Sequence, residues 1–202
     1  MPEIKIGILA LQGAFAKHDE MLKSLGVKTQ LVRTPQDLLQ CDGLIIPGGE
    51  STTIFRQINF IQLNDPLQEF STQKPIFGTC AGLILMSKEV IADPSIQTLG
   101  ILDISVERNA FGRQVESFKT DLEVIISARE KFQFPSVFIR APRIRQCTNH
   151  VKVLASLENE PVLVQQGIHL GASFHPELTA NNRIHQYFAP LVEKIKKGLK
   201  II

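Results

Sequence analysis

The sequence predicts an α/β fold of three layers: a mostly parallel central sheet flanked by helices, with additional antiparallel strands. Two observations carry this. In the first half, short apolar runs alternate with segments of helical period, the βαβ pattern that builds a parallel sheet with helices on its faces. From Leu99 to Phe174 the chain changes to runs rich in β-branched residues with few helical intervals, which adds strands, some of them antiparallel. At 202 residues and 44% hydrophobic content, one domain over residues 1–202 can bury a sizeable core. No internal repeat, linker or low-complexity stretch divides it.

Ile4 to Ala10 is the first strand; it lacks a basic leader and runs straight into Gln12-Gly13, so it does not read as a signal peptide. A helix near Ala14 to Leu25 follows and ends at Gly26. Lys28 to Arg33, Gly43 to Ile46 and Pro75 to Gly78 supply the next strands. Strands then dominate up to the one that delivers His175. Near the end, Ile184, Phe188, Leu191, Ile195 and Leu199 recur at helical spacing among Arg183, Lys194, Lys196, Lys197 and Lys200, which predicts a helix with a solvated basic face.

Three segments carry chemistry. Gly78-Thr79-Cys80-Ala81-Gly82 sets a cysteine between glycines where a strand hands over to a helix. A nucleophile stands exposed on so sharp a turn only if its neighbours are small, and the helix beginning at Ala81 offers backbone N–H groups to an oxyanion. Taken alone, such a cysteine also fits inert packing. Ser173-Phe174-His175-Pro176-Glu177 supplies a base and a carboxylate in the chain order the elbow needs. Pro176 biases His175 away from the α region, and in an extended segment residues two apart share a side, so Glu177 faces the imidazole. Alone, it also reads as a surface turn. Pro47-Gly48-Gly49-Glu50-Ser51-Thr52-Thr53 follows the apolar strand Gly43 to Ile46, and Gly49 can aim an N–H as the second oxyanion donor. The same residues also fit a Pro-Gly turn before a Ser-capped helix. No lysine stands where a phosphate-binding Walker loop needs one.

Together these segments resemble the class I triad glutamine amidotransferases. The resemblance extends to the branch of glutaminase subunits of pyridoxal 5′-phosphate synthase through Leu11-Gln12-Gly13-Ala14-Phe15, Arg108-Asn109-Ala110-Phe111-Gly112-Arg113-Gln114, Phe138-Ile139-Arg140-Ala141-Pro142 and Ser173-Phe174-His175-Pro176-Glu177-Leu178-Thr179. These motifs run in family order along nearly the whole chain. The resemblance implies that Cys80, His175 and Glu177 hydrolyse L-glutamine through a thioester, with Gly49 and Ala81 forming the oxyanion hole. It nominates Gly48, Gly49 and Glu50 on one side of the glutamine and Arg108, Ile139 and Arg140 on the other. Gln12 falls at a family position facing the synthase subunit, a (β/α)8 barrel and the implied partner. No cofactor is implied.

Composition excludes other classes. A net charge of +2, with no basic block or aromatic-interleaved basic stripe, argues against nucleic acid and membrane surfaces. No run approaches the ~18 apolar residues of a membrane helix. Cys41, Cys80 and Cys147 form no CxxC pair and are odd in number, which suits a reducing, cytoplasmic setting. The histidines lack metal spacing; His169 and His175 lie on one strand-like run without partner ligands. Two other functional readings compete: a triad glutaminase serving a different synthase, such as one in histidine biosynthesis, and a catalytically silent regulatory homologue.

Overall fold

Alternating residues of the central strands are apolar on both faces, so the sheet needs cover on both sides. The computed structural model describes residues 4–93, 96–108 and 117–199. Its first half holds β1 (Lys5–Leu9), α1 (Phe15–Ser24), β2 (Lys28–Val32), α2 (Pro35–Leu39), β3 (Gly43–Ile46), α3 (Ser51–Phe60), α4 (Asn64–Gln73), β4 (Ile76–Thr79) and α5 (Ala81–Met86). The second half runs β5 (Ser87–Ile91), β6 (Leu102–Glu107), β7 (Phe118–Ser127), β8 (Glu130–Phe138), β9 (Arg143–Cys147), β10 (Lys152–Leu157), β11 (Glu160–Gln166) and β12 (His169–Ala172). One turn of 3₁₀ helix (Pro176–Leu178) and α6 (Arg183–Lys196) complete it.

The main sheet has seven strands in the order β10-β11-β12-β4-β3-β1-β2. The pairs from β12 through β2 are parallel, and β10 and β11 extend the sheet antiparallel. Leu44 and Ile46 of β3 join a core with Ile54 and Ile58 of α3, Leu67 of α4, Leu83 of α5, and Leu102, Ile104 and Ile144 of the small β5-β6-β9 sheet. Ile45, between them, faces the other way with Phe77 and packs with Leu22 of α1, Phe188 of α6 and Phe134 of the β7–β8 hairpin. Three layers result, as the sequence predicts.

The sheet register positions the site. Ile46 of β3 lies opposite Gly78 of β4, and Thr79 lies opposite Ala172 of β12. All three strands are parallel, so the segments after them, starting at Pro47, Cys80 and Ser173, leave the same edge of the sheet, where open α/β sheets bind ligands.

Candidate active site

Close approach explains the glycines of the elbow. A Cβ on Gly82 would sit 2.1 Å from the Ile46 carbonyl oxygen, and one on Gly78 would sit 2.6 Å from the Gly82 carbonyl. Only without those side chains does α5 start directly on β3 and β4. Between the two glycines, Cys80 takes φ 49° and ψ −102°, a strained conformation for an L-residue. Its N–H donates to Ala172 O at 2.8 Å, which ties the turn to β12. The Cys80 thiol lies 3.9 Å from Ile139 O, and the imidazole of His175 is within hydrogen-bonding reach. Ala81 opens α5, so its N–H has no acceptor within the helix.

The His175 N–H donates to Val137 O of β8 at 2.8 Å. Its φ of −107° and ψ of 86° are non-helical, as the following proline dictates. The expected extended geometry does not continue: β12 stops at Ala172, and Glu177 sits in the 3₁₀ turn that starts at Pro176. That turn still brings Glu177 Oε1 to 2.8 Å from His175 Nδ1, with both side chains nearly inaccessible to water. Burial works to lower the His175 pKa. The hydrogen bonds to Cys80 and Glu177, and the negative charge of both, outweigh it and push the value up to about 10.

Gly48 packs against this pair. A Cβ there would meet His175 Cε1 at 2.3 Å and Cys80 Cβ at 3.2 Å. Beyond it, Glu50 rather than Ser51 caps α3, accepting hydrogen bonds from the Thr52 and Thr53 N–H groups and the Thr53 hydroxyl. The Thr53 hydroxyl, aided by those N–H groups, holds the Glu50 carboxyl down to about 2. Arg108 donates to Asp93 at 2.6 Å, and its other terminal nitrogen lies 3.5 Å from Glu50 and 3.2 Å from the Thr52 hydroxyl. Arg108 and Glu50 are therefore adjacent, not set across the cavity from each other. The Gln12 amide donates to Glu50 O at 2.6 Å, so this side chain braces the glycine loop. Asn109 to Gln114 lie outside the described residues.

Cys80 and His175 open into a cavity of about 370 Å³ whose wall includes Gly49, Glu50, Arg108, Ile139 and Arg140. Ser51 and Ile84 also line it, and neither is among the site residues that the sequence nominates. A larger groove of about 890 Å³, between the β7–β8 hairpin and α6, is lined by Lys131, Lys152, Arg183 and Tyr187 among others and contains no cysteine. The chemistry-bearing residues mark the smaller cavity as the candidate site. Among the described residues, no group of three or more His, Cys, Asp or Glu side chains is placed to hold a metal, and no helix is long and apolar enough to cross a membrane.

The geometry brings a cysteine thiol, an imidazole held by a buried carboxylate, and small residues together at one cavity. The chain is 49% identical over 95% of its length to the pyridoxal 5′-phosphate synthase subunit PdxT of Thermosipho africanus, which it covers completely. It is 48% identical over 97% of its length to the same subunit of Carboxydothermus hydrogenoformans, also covered in full. A glutamine amidotransferase crystal structure, 47% identical, superposes with a TM-score of 0.87 over 93% of this chain and 98% of that one. The SNO glutamine amidotransferase family model matches residues 8–195, and the chain belongs to that family.

Proposed function

We propose that the chain hydrolyses L-glutamine at Cys80 and passes the ammonia to the barrel subunit of a pyridoxal 5′-phosphate synthase. The observation that carries the reading is the opening of Cys80 and His175, the latter backed by Glu177 at 2.8 Å, into a cavity walled by Glu50 and Arg108. An amino acid's ammonium and carboxylate need one acidic and one basic partner, and these two side chains provide them. The relatives named as PdxT supply the synthase assignment.

In the reacting pair the proton of the Cys80 thiol passes to His175, giving a thiolate beside an imidazolium. The thiolate attacks the side-chain amide carbon, and the backbone N–H groups of Ala81 and Gly49 hold the oxyanion. His175 gives its proton to the nitrogen, the C–N bond breaks, and ammonia leaves a thioester on Cys80. Water, deprotonated by the now neutral His175, attacks the thioester carbon; the C–S bond breaks, glutamate departs, and the thiolate and imidazolium are restored. Glu177 fixes the ring throughout.

Ammonia released into neutral water is protonated and stops being a nucleophile, so a chain of this kind profits from a docked synthase. The unpaired cysteines of this chain suit a cytoplasmic setting. The test supplies glutamine labelled with ¹⁵N in its side-chain amide to this chain, a synthase barrel subunit, a pentose phosphate and a triose phosphate. Label should enter the pyridine ring with the wild-type chain and not with Cys80→Ala. Glutamate release without label transfer would point to another acceptor, and no release at all would end the glutaminase reading.

A further inference from the structure

Behind the proposed triad lies a second pair of imidazoles that the reaction above does not use. His18 of α1 and His185 of α6 are fully buried, and His18 Nδ1 lies 2.9 Å from His185 Nε2. On its other side, His18 Nε2 lies 3.4 Å from Glu177 Oε2 and 3.3 Å from the Thr79 hydroxyl. That carboxylate oxygen is buried and accepts no hydrogen bond among the described residues, and His18 Nε2 approaches it at ion-pair distance without completing one. His185 Nδ1 is likewise buried and unpaired. Phe77 meets both rings edge-on, which restrains their planes.

Proton placement follows from these contacts. If His18 carried its proton on Nδ1, a lone pair would face the Glu177 carboxylate, and His185 would be left with a buried N–H and no acceptor. With the protons reversed, His185 Nε2–H donates to His18 Nδ1, His18 Nε2–H lies between the Thr79 hydroxyl oxygen and Glu177 Oε2, and the group left unpaired is only an acceptor. Buried orphan donors are the rarer and costlier kind. Burial above all, and then the nearness of the His185 and His175 rings, pushes the His18 pKa well down, and burial lowers that of His185 to about 4. Both rings are therefore neutral and can hold distinct tautomers.

We propose that His18 is a positioning residue for the triad, locked by His185 in the Nε2–H tautomer so that it donates to the outer oxygen of Glu177 while the inner oxygen holds His175. The inference rests on the glutaminase reading above and extends it one residue deeper. It gives α1 and α6, distant in sequence from the elbow, a direct hold on the base. A carboxylate bound at one oxygen only can rotate about its last bond; bound at both, it fixes the imidazole plane.

Two measurements test it. ¹⁵N spectra of wild-type protein labelled in its histidine rings, with the His18 signals assigned by their loss in His18→Gln, should show a neutral Nε2–H tautomer at neutral pH. An Nδ1–H tautomer or an imidazolium at His18 would overturn the proposal, and this readout needs no variant to be active. In glutaminase assays with the barrel subunit, His18→Leu should lower kcat by about 10-fold to 100-fold, the range lost when outer-shell partners of an active group are removed. KM should stay within about 2-fold. His18→Gln, whose amide places an N–H near the position of Nε2, should recover most of that loss. Equal kcat for wild type and His18→Leu, or equal loss in both variants, would overturn the proposal. Wild-type turnover in the same series separates the failures: a normal wild type with an unaffected His18→Leu defeats this inference alone, while a wild type inactive with its partner defeats the reading beneath it.

Discussion

The two sides of the candidate site are built differently. On the inner side, His175, Glu177, Thr79, His18 and His185 are all buried and linked from ring to carboxylate to ring. On the outer side, Gly49, Glu50 and Arg140 are exposed, all on segments between regular elements, and Arg140 takes a positive φ of 46°. Core packing and sheet register fix the inner side, so a folded chain already holds His175 in place. Loop conformation sets the outer side, where a substrate or a partner surface has the most to arrange.

The strongest way to break this comparison is at the point where the two sides meet. Cys80→Ala should lower glutamate release at least ~10⁴-fold, as loss of a sole nucleophile does, and leave the far-ultraviolet circular dichroism unchanged. Substantial residual turnover would remove Cys80 from the mechanism. Cys80→Gly should be equally inactive yet unfold at a higher denaturant concentration than Cys80→Ala, by about 1 kcal/mol, because glycine relieves the strain at φ 49°. If alanine were the more stable, the elbow would store no strain.

Gly48→Ala probes the seam from the loop side. Its methyl group would meet His175 Cε1 at 2.3 Å, so either the ring or the loop must shift. Displacements near 1 Å in a reacting constellation cost about 100-fold. A loss of that size in kcat, with the thermal midpoint little changed, is the expected result; wild-type turnover would mean that the glycine loop yields freely and the base never moves.

How much of each side was legible in the sequence follows the same division. Gly43 to Ile46 and the elbow stood out because a strand buried on both faces is a continuous apolar run, and a nucleophile turn demands small residues at fixed places. The contact between His175 and Glu177 was expected from an extended segment and is made by a 3₁₀ turn instead; proline at the first position of that turn explains both the non-helical His175 and the bend after it. His18 and His185 gave no signal. Each is a lone histidine within a helix, and their meeting depends on two helices packing on one face of the sheet. The short α2 is legible locally, since Thr34-Pro35-Gln36-Asp37 is a capping box with proline at the helix start, but at five residues it is too short to show a helical period. Glu50 took the capping role given to Ser51, because its longer carboxylate reaches two backbone N–H groups at once.

Acid sharpens the contrast between the buried side and the exposed one. His185, with a folded value of about 4 against about 6.5 when unfolded, stays neutral in the fold while the unfolded chain takes up a proton as pH drops below 6.5. Stability therefore falls with falling pH across that window, by about 2 kcal/mol between pH 7.5 and 5 for His185 alone. His18, also lowered by burial, adds to the loss in the same direction, and so does His169, held to about 4 at the far end of β12. On the outer side, Glu50 titrates near 2 and contributes nothing in that range. His175, held up to about 10, partly offsets this, because its folded-state proton stabilises more as pH falls toward 6.5; urea midpoints at the two pH values measure the net, and His185→Leu should flatten the slope. An unchanged slope in that variant would mean that water reaches the inner side.

The smallest expected effect tests whether the outer side waits for a partner. Gly49 is exposed, its loop braced mainly by Glu50 at the start of α3 and by the Gln12 amide at 2.6 Å from Glu50 O. A peptide packed at Gly48 but exposed at Gly49 can still turn its N–H away from the cavity, and an oxyanion donor pointing elsewhere contributes nothing to the barrier. A surface seated on Gln12 and the glycine loop would fix the peptide without touching Cys80 or His175, whose geometry is already set from behind. Glutamate release should therefore rise at least ~10-fold when the barrel subunit is added, equivalent to ~1.4 kcal/mol in the barrier. The rise should appear mostly in kcat, since an oxyanion contact forms only as the tetrahedral intermediate develops. Gln12→Ala should reduce the activation more than the basal rate. A lone chain with full turnover, indifferent to the partner, would show the outer side to be as preorganised as the inner one.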